Sequence, residues 1–321
     1  MRKALQLALM AAGIAFFASA AAQTWPSRPV RIISSFGPGS PADALMRLVA
    51  QTISDPLGQP VIVEVQAGAG GLIAAQAALR GAADGHTFLY TISTALVTTP
   101  YLVKNHTVEM KDFAPVITMA RAYTCMLAAV SFPPNSVREL IAYAKANPGK
   151  VAYASNGIGG TYHLEMEMIK QKHGVDIIHV PYKGGSAGLK EAAAGTIPIA
   201  FAPCSAVAPL ARANKVKFMA VLEHKRAADY PDIPAMGEEL PDYEKISGGV
   251  DIWGPAAMPA PVLKRIHAEI DKALALPDVR ARMKQIGFPY DGTALEKMAE
   301  QRRKDYEIAG RAVKIAGLKP Q

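Results

Sequence analysis

The sequence predicts an α/β protein built as two regions of alternating strands and helices. Short β-branched runs, such as Val30, Ile32 and Ile33, read as buried parallel strands. They alternate with stretches at helical spacing, such as Leu45, Leu48, Val49 and Ile53. Loops rich in glycine or hydroxyl residues repeatedly stand between a strand and the following helix. The chain has 321 residues, half of them hydrophobic. That length suits two domains or one large one with a sizeable core.

Residues 1–22 read as a secretory signal. Arg2 and Lys3 form the charged start, Ala4 to Phe17 the apolar core, and Ala20-Ala21-Ala22 the small residues before cleavage. The apolar core is shorter than the roughly 20 residues a membrane span needs. Cleavage after Ala22 predicts a periplasmic product. Loss of Arg2 and Lys3 lowers the formal charge from +8 to +6.

The stretch 30–49 anchors the first region as strand, loop and helix. Phe36-Gly37-Pro38-Gly39-Ser40-Pro41 cannot continue a strand. A helix start behind it offers unpaired N–H groups and a partial positive charge, which suits an anion. Gly37-x-Gly39-x-x-Ala42 also matches a dinucleotide fingerprint, with Glu64 near the place of its ribose acid. Two prolines and the export signal argue against that reading. Asp43, in the first helical turn, is expected to favour the helix N-terminus rather than a ligand. Strand Val61–Val65, the loop Ala67–Gly71, helix Leu72–Leu79 and strand Thr87–Thr91 follow. Gly70-Gly71 and Ser93-Thr94 then lie on the same sheet edge as the first loop, at the strand carboxyl ends where open α/β sheets bind ligands.

A second region begins near the apolar run Pro115–Val130. Ser136-x-x-Glu139 reads as a capping box. Strands are predicted at Val151–Ala154, Asp176–Val180, Ile197–Phe201 and Phe218–Leu222, with helices between them. The alternation predicts parallel sheets in both regions. From Ile246 onward the pattern becomes helical, with no strand expected and a second capping box at Thr293-x-x-Glu296. The order of units predicts lobe one as 23–122 plus 247–321 and lobe two as 123–246, so that the chain crosses the hinge twice.

Catalytic groups are sparse. The sequence holds no HExxH and no histidines at metal-ligand spacing. His163 is expected to be a hydrogen-bonded structural residue, and Trp253 to be core. Arg302-Arg303-Lys304 reads as a solvated helix face, and basic residues are otherwise scattered, so a nucleic-acid partner is not expected. Cys125 and Cys204 face an oxidising compartment, and the sequence leaves open whether they pair.

The ordered set RPVRIISSFGPGSPADALMRLVAQTISDPLGQPVIVE, AGAGG, DFAPV, YASNGIGGTYH, HVPYKGG and AGLKP resembles the substrate-binding proteins of tripartite tricarboxylate transporters, the Bug receptors. The resemblance spans the mature chain. It implies a type II periplasmic binding protein, a monomer whose two α/β lobes close on a small carboxylate for delivery to membrane permease subunits. It implies no catalysis, cofactor or metal. One wall would be Phe36, Gly37, Pro38, Gly39 and Ser40 with Gly70, Gly71, Ser93 and Thr94. The other would be Ser155, Asn156, Gly160, Thr161 and His163 with Tyr182, Lys183 and Gly184. Two departures stand out. Ser40 replaces a common second glycine, and Ala202-Pro203-Cys204 replaces a common Asp-Asn after Phe201. With that acid absent, Ala202 and Pro203 make an apolar flank, and an amine-free carboxylate or dicarboxylate with an aliphatic or aromatic body is expected. The rival readings are a receptor that signals to a sensor kinase and a secreted hydrolase or dehydrogenase.

Overall fold

A computed structural model describes residues 25–182, 185–286, 288 and 295–320. The predicted signal segment, Lys183, Gly184 and Thr293 lie outside the described residues. No helix among those described is long and apolar enough to cross a membrane.

The strands are β1 (Val30–Ser34), β2 (Val61–Val65), β3 (Thr87–Ile92), β4 (Phe113–Ala120), β5 (Thr124–Ala129), β6 (Val151–Ser155), β7 (Ile177–Pro181), β8 (Ile199–Pro203), β9 (Val216–Val221) and β10 (Val250–Pro255). They form two five-stranded sheets, ordered β2-β1-β3-β10-β4 and β7-β6-β8-β5-β9. β1 is parallel to both β2 and β3, with Val30 opposite Val61 and Arg31 opposite Thr87. Its Val30, Ile32 and Ile33 are fully buried, as a strand covered on both faces requires.

The sheets are mixed rather than parallel. β10 runs antiparallel to β3 and β4, and β5 runs antiparallel to β8 and β9. β10 also corrects the expectation of a strandless C-terminal part. Its six residues are all buried, so they carry none of the alternation that marks a half-exposed strand, and Gly254 and Pro255 break the apolar run.

The longer helices are α1 (Pro41–Leu57), α2 (Leu72–Leu79), α3 (Val137–Ala146), α4 (Thr161–His173), α5 (Gly185–Ala193), α6 (Cys204–Arg212), α7 (Ala260–Ala275), α8 (Pro277–Gln285) and α9 (Leu295–Ile315). Ser40 caps α1, its Oγ accepting the Asp43 N–H at 3.2 Å. Ser136 caps α3 likewise through Glu139 N–H at 3.1 Å. The Glu139 carboxylate instead accepts from Asn135 N–H at 2.6 Å, so the box is shifted by one residue.

Each sheet carries its own core. One gathers Ile32, Leu45, Phe88 and Ile252, the other Tyr153, Ile199, Phe201 and Met219. Trp253 is buried against the far face of the first sheet, with Ile33, Leu72 and Leu89. A further cluster joins Leu164 and Met168 of α4 to Ala309, Ala312 and Val313 of α9, packing the second lobe on the C-terminal helix. Cys125 and Cys204 are bonded to each other, with Cα atoms 5.1 Å apart. The bridge is set up by pairing of β5 with β8, where Thr124 faces Pro203.

Arg302 is not part of a solvated face. It is 1% exposed and paired with Asp251 of β10 and Asp305 of its own helix. Its guanidinium also donates to Thr118 Oγ1 at 2.9 Å and to the Ser247 carbonyl at 2.8 Å. Burial alone would lower its pKa, and the two carboxylates outweigh that and raise it. One side chain thus clamps β4, β10, α9 and the returning chain together.

Candidate functional site

A cavity of about 240 Å³ opens between the lobes. Its floor consists of the two chain crossings, Ala120-Arg121-Ala122 with Thr124 on one and Lys245, Ile246, Gly248, Gly249 and Val250 on the other. Phe36, Ile92 and Thr94 reach it from the first lobe, and Asn156, Thr161, Tyr162, Glu165 and Pro203 from the second. Apolar groups make most of the wall, while Arg121 and Lys245 bring positive charge to the hinge side.

In the first lobe, the loop after β1 is stapled from within. Gly39 N–H donates to Asp43 Oδ2 at 2.9 Å, and Arg47 pairs with the same carboxylate. Burial would raise the Asp43 pKa, but these bonds outweigh it and hold the group below its ordinary range. Phe36 packs against Tyr90, ring centres 5.0 Å apart, and alone of this loop reaches the cavity. Gly37, Pro38, Gly39 and Ser40 stand outside its lining. Gly70 and Gly71 take left-handed torsions, and Gly71 packs so closely on Thr91 and Ala95 that a Cβ would fall 2.7 and 2.8 Å from them. Ser93 is buried and bound to the Gly249 carbonyl through both its N–H, at 2.9 Å, and its Oγ, at 3.0 Å. That bond ties the end of β3 to the second crossing, and Thr94 next to it lines the cavity.

In the second lobe, the loop after β6 rests on two histidines. Ser155 Oγ accepts the Gly157 N–H at 3.0 Å and meets His179 Nε2 at 2.6 Å. His179 stacks on His163, ring centres 3.9 Å apart and planes nearly parallel. His163 Nδ1 accepts the Gly159 N–H at 3.0 Å, so its proton belongs on Nε2, toward Glu167. Burial holds both imidazoles neutral. It pushes His179 down to about 4, with His163 adding to the effect, and lowers His163 as well. His163 therefore organises the loop's backbone from beneath and does not reach the cavity wall.

Asn156 does reach it. Its Oδ1 is buried and has no hydrogen-bond partner among the described residues. Gly160, just before α4, leaves the room Asn156 occupies. Thr161 opens the helix, and Tyr162 stacks on Phe201 with centres 5.3 Å apart. Tyr182 and Ala202 are outside the lining. Ala202 is buried beside the disulfide, while Pro203 faces the cavity. Glu64, the dinucleotide candidate, is held by Arg31 in a two-pronged ion pair at 2.6 and 2.7 Å.

The structure thus brings Phe36, Thr94, Asn156, Thr161 and Pro203 to one cavity. Sequence reasoning missed Arg121, Thr124, Tyr162 and Lys245. A signal for three of them was present: they flank the predicted boundaries at 122 and 247, and hinge segments face the space that lobes enclose.

The chain matches the tripartite tricarboxylate transporter family receptor over residues 45–308. A UPF0065 protein of Bordetella pertussis is 34% identical over 281 residues, 86% of this chain and 84% of that protein. Protein BugT of the same organism is 33% identical over 272 residues, 82% of this chain and 81% of BugT. Among solved structures, R. palustris Rpa4515 with adipate superposes with a TM-score of 0.71 at 28% identity, covering 92% of this chain and all of the other. Two α/β lobes joined by two crossings, a cavity at the hinge and these similarities lead to one assignment: the chain belongs to the tripartite tricarboxylate transporter receptors, as a solute-binding protein of the Bug family.

Proposed function

We propose that this receptor captures an amine-free organic carboxylate, a dicarboxylate above all, and delivers it to a tripartite tricarboxylate permease. The observation that carries the reading is the hinge cavity, a mostly apolar wall whose lining includes the cations Arg121 and Lys245, the latter paired with Glu223. A buried carboxylate needs hydrogen bonds or a cation. Thr94, Thr124, Thr161 and Asn156 add polar contacts. The wall's acid, Glu165, is already engaged by Tyr243 and the Ile246 N–H, which leaves little for a ligand ammonium. The adipate carried by the R. palustris relative agrees with this class. We assign capture to lobes 23–122 plus 247–321 and 123–246, closing about the crossings at 122 and 247. Ligand contacts to both lobes favour the closed state. A periplasmic monomer released by cleavage after Ala22 completes the reading.

A thermal-shift panel of adipate, succinate, citrate, terephthalate, glutamate and aspartate tests it. Ligand at a hundred times its Kd stabilises the folded state by about 2.7 kcal/mol, a rise of several degrees. We expect that rise with at least one amine-free acid. Stabilisation by glutamate or aspartate, with every amine-free acid inert, would overturn the ligand class.

A further inference from the structure

Glu165 is the one buried carboxyl in the wall of the hinge cavity, among the described residues, and binding as described so far gives it no role. Its Oε2 accepts from Tyr243 Oη at 2.7 Å, and its Oε1 accepts from the Ile246 N–H at 3.1 Å. The first bond ties α4 to the segment before the second crossing. The second fastens it to a crossing residue that itself lines the cavity.

We propose that ligand capture is coupled to uptake of one proton by Glu165, so that the receptor takes in a carboxylate together with a proton. The inference rests on the carboxylate reading of the same cavity. Two carboxylates enclosed in one water-poor space repel, and the cheaper state is the one in which a carboxyl is neutral. The proton comes from solvent and forms an O–H bond at Oε2. Tyr243 Oη then turns from donor to acceptor, and Oε1 keeps the Ile246 N–H. No hydrogen bond is lost and one negative charge is removed.

The surroundings are poised for this. Burial, with Glu223 adding, outweighs the pull of Tyr243, Lys245 and the Ile246 N–H and leaves Glu165 raised to about 7. Lys245, on the second crossing, is paired with Glu223 just after β9. Arg121 stands in the cavity wall on the first crossing, and Tyr162 on the same helix. His224 lies against the ring of Tyr243, centres 5.7 Å apart. An incoming anion adds its negative charge beside this carboxyl.

The test is calorimetric titration of the full mature protein with adipate and with succinate at about pH 8, in phosphate and in Tris, whose ionisation enthalpies differ. We expect close to one proton taken up per ligand, and a Kd that rises about tenfold per pH unit above neutrality. Glu165→Gln should bind with no uptake and a pH-independent Kd. Should that variant fail to fold, the wild-type buffer series and pH profile decide alone. Binding without proton exchange, or uptake that persists in Glu165→Gln, would overturn the inference and leave the carboxylate reading standing. Should neither acid bind, the titration is run with whichever amine-free acid stabilises the protein in the thermal-shift panel, and failure of all of them would overturn both.

Discussion

Gly160 has torsions any residue tolerates, φ −66° and ψ 158°, so its demand for glycine is one of space. A Cβ there would stand 2.3 Å from Asn156 Oδ1 and 2.7 Å from the amide carbon. Gly160→Val should therefore displace Asn156 from the cavity wall and leave β6 and α4 folded. Loss of one buried polar contact costs about 1–2 kcal/mol, so adipate affinity should fall roughly tenfold with little change in unfolding midpoint. Titration calorimetry beside a melting curve checks this, and unchanged affinity would reduce the loop to an ordinary turn. Gly39 makes an instructive contrast. Its φ of +74° is left-handed, a Cβ there meets nothing within 4 Å, and its N–H belongs to Asp43. The sequence marks both glycines as loop points and cannot distinguish them. What separates them is a through-space neighbour in one case and a torsion in the other.

At the level of elements, the C-terminal helix α9 does more than cover the first sheet. Its buried face runs Met298, Arg302, Asp305, Ala309 and Ala312, at steps of three and four residues, with Val313 four beyond Ala309. Read by that period, the sequence would put Arg302 inward. Read as the charge run Arg302-Arg303-Lys304, it put the residue in water. Arg302→Leu would leave Asp251 and Asp305 buried without their cation. Breaking one partner of such a group costs about 3–5 kcal/mol, to be measured as a lowered urea midpoint. An unchanged midpoint would show that the clamp carries no net stability. The strands of the first βα units were legible because β-branched runs ended at glycine. β10 was not, since a strand buried on both faces and closed by Gly254-Pro255 resembles a broken apolar loop. The run at 115–130 hid a different feature, two strands assigned to different sheets and parted by Arg121-Ala122-Tyr123.

At the scale of the whole molecule, the sheets differ in how their strands lie along the chain. The second uses β5 to β9, consecutive from Thr124 to Val221. The first has β10, Val250–Pro255, wedged between β3 and β4, which do not pair with each other. A chain ending at Gly249 should keep the second sheet, disulfide included, and lose the first. Limited proteolysis followed by mass spectrometry should then find protected peptides from 124–221 and early cleavage within 30–120. Protection of the earlier segment would sink the idea. The same wedge sets an order in time. As the chain emerges N-terminus first, β1 to β3 can pair with one another, but β4 has no neighbour and the first sheet stays incomplete until β10 arrives, while the middle of the chain can finish its own. The usual sequence, in which the earliest-made domain folds first, is reversed. The half of the receptor made first is completed last, and the hinge with its cavity exists only once nearly the whole chain has arrived.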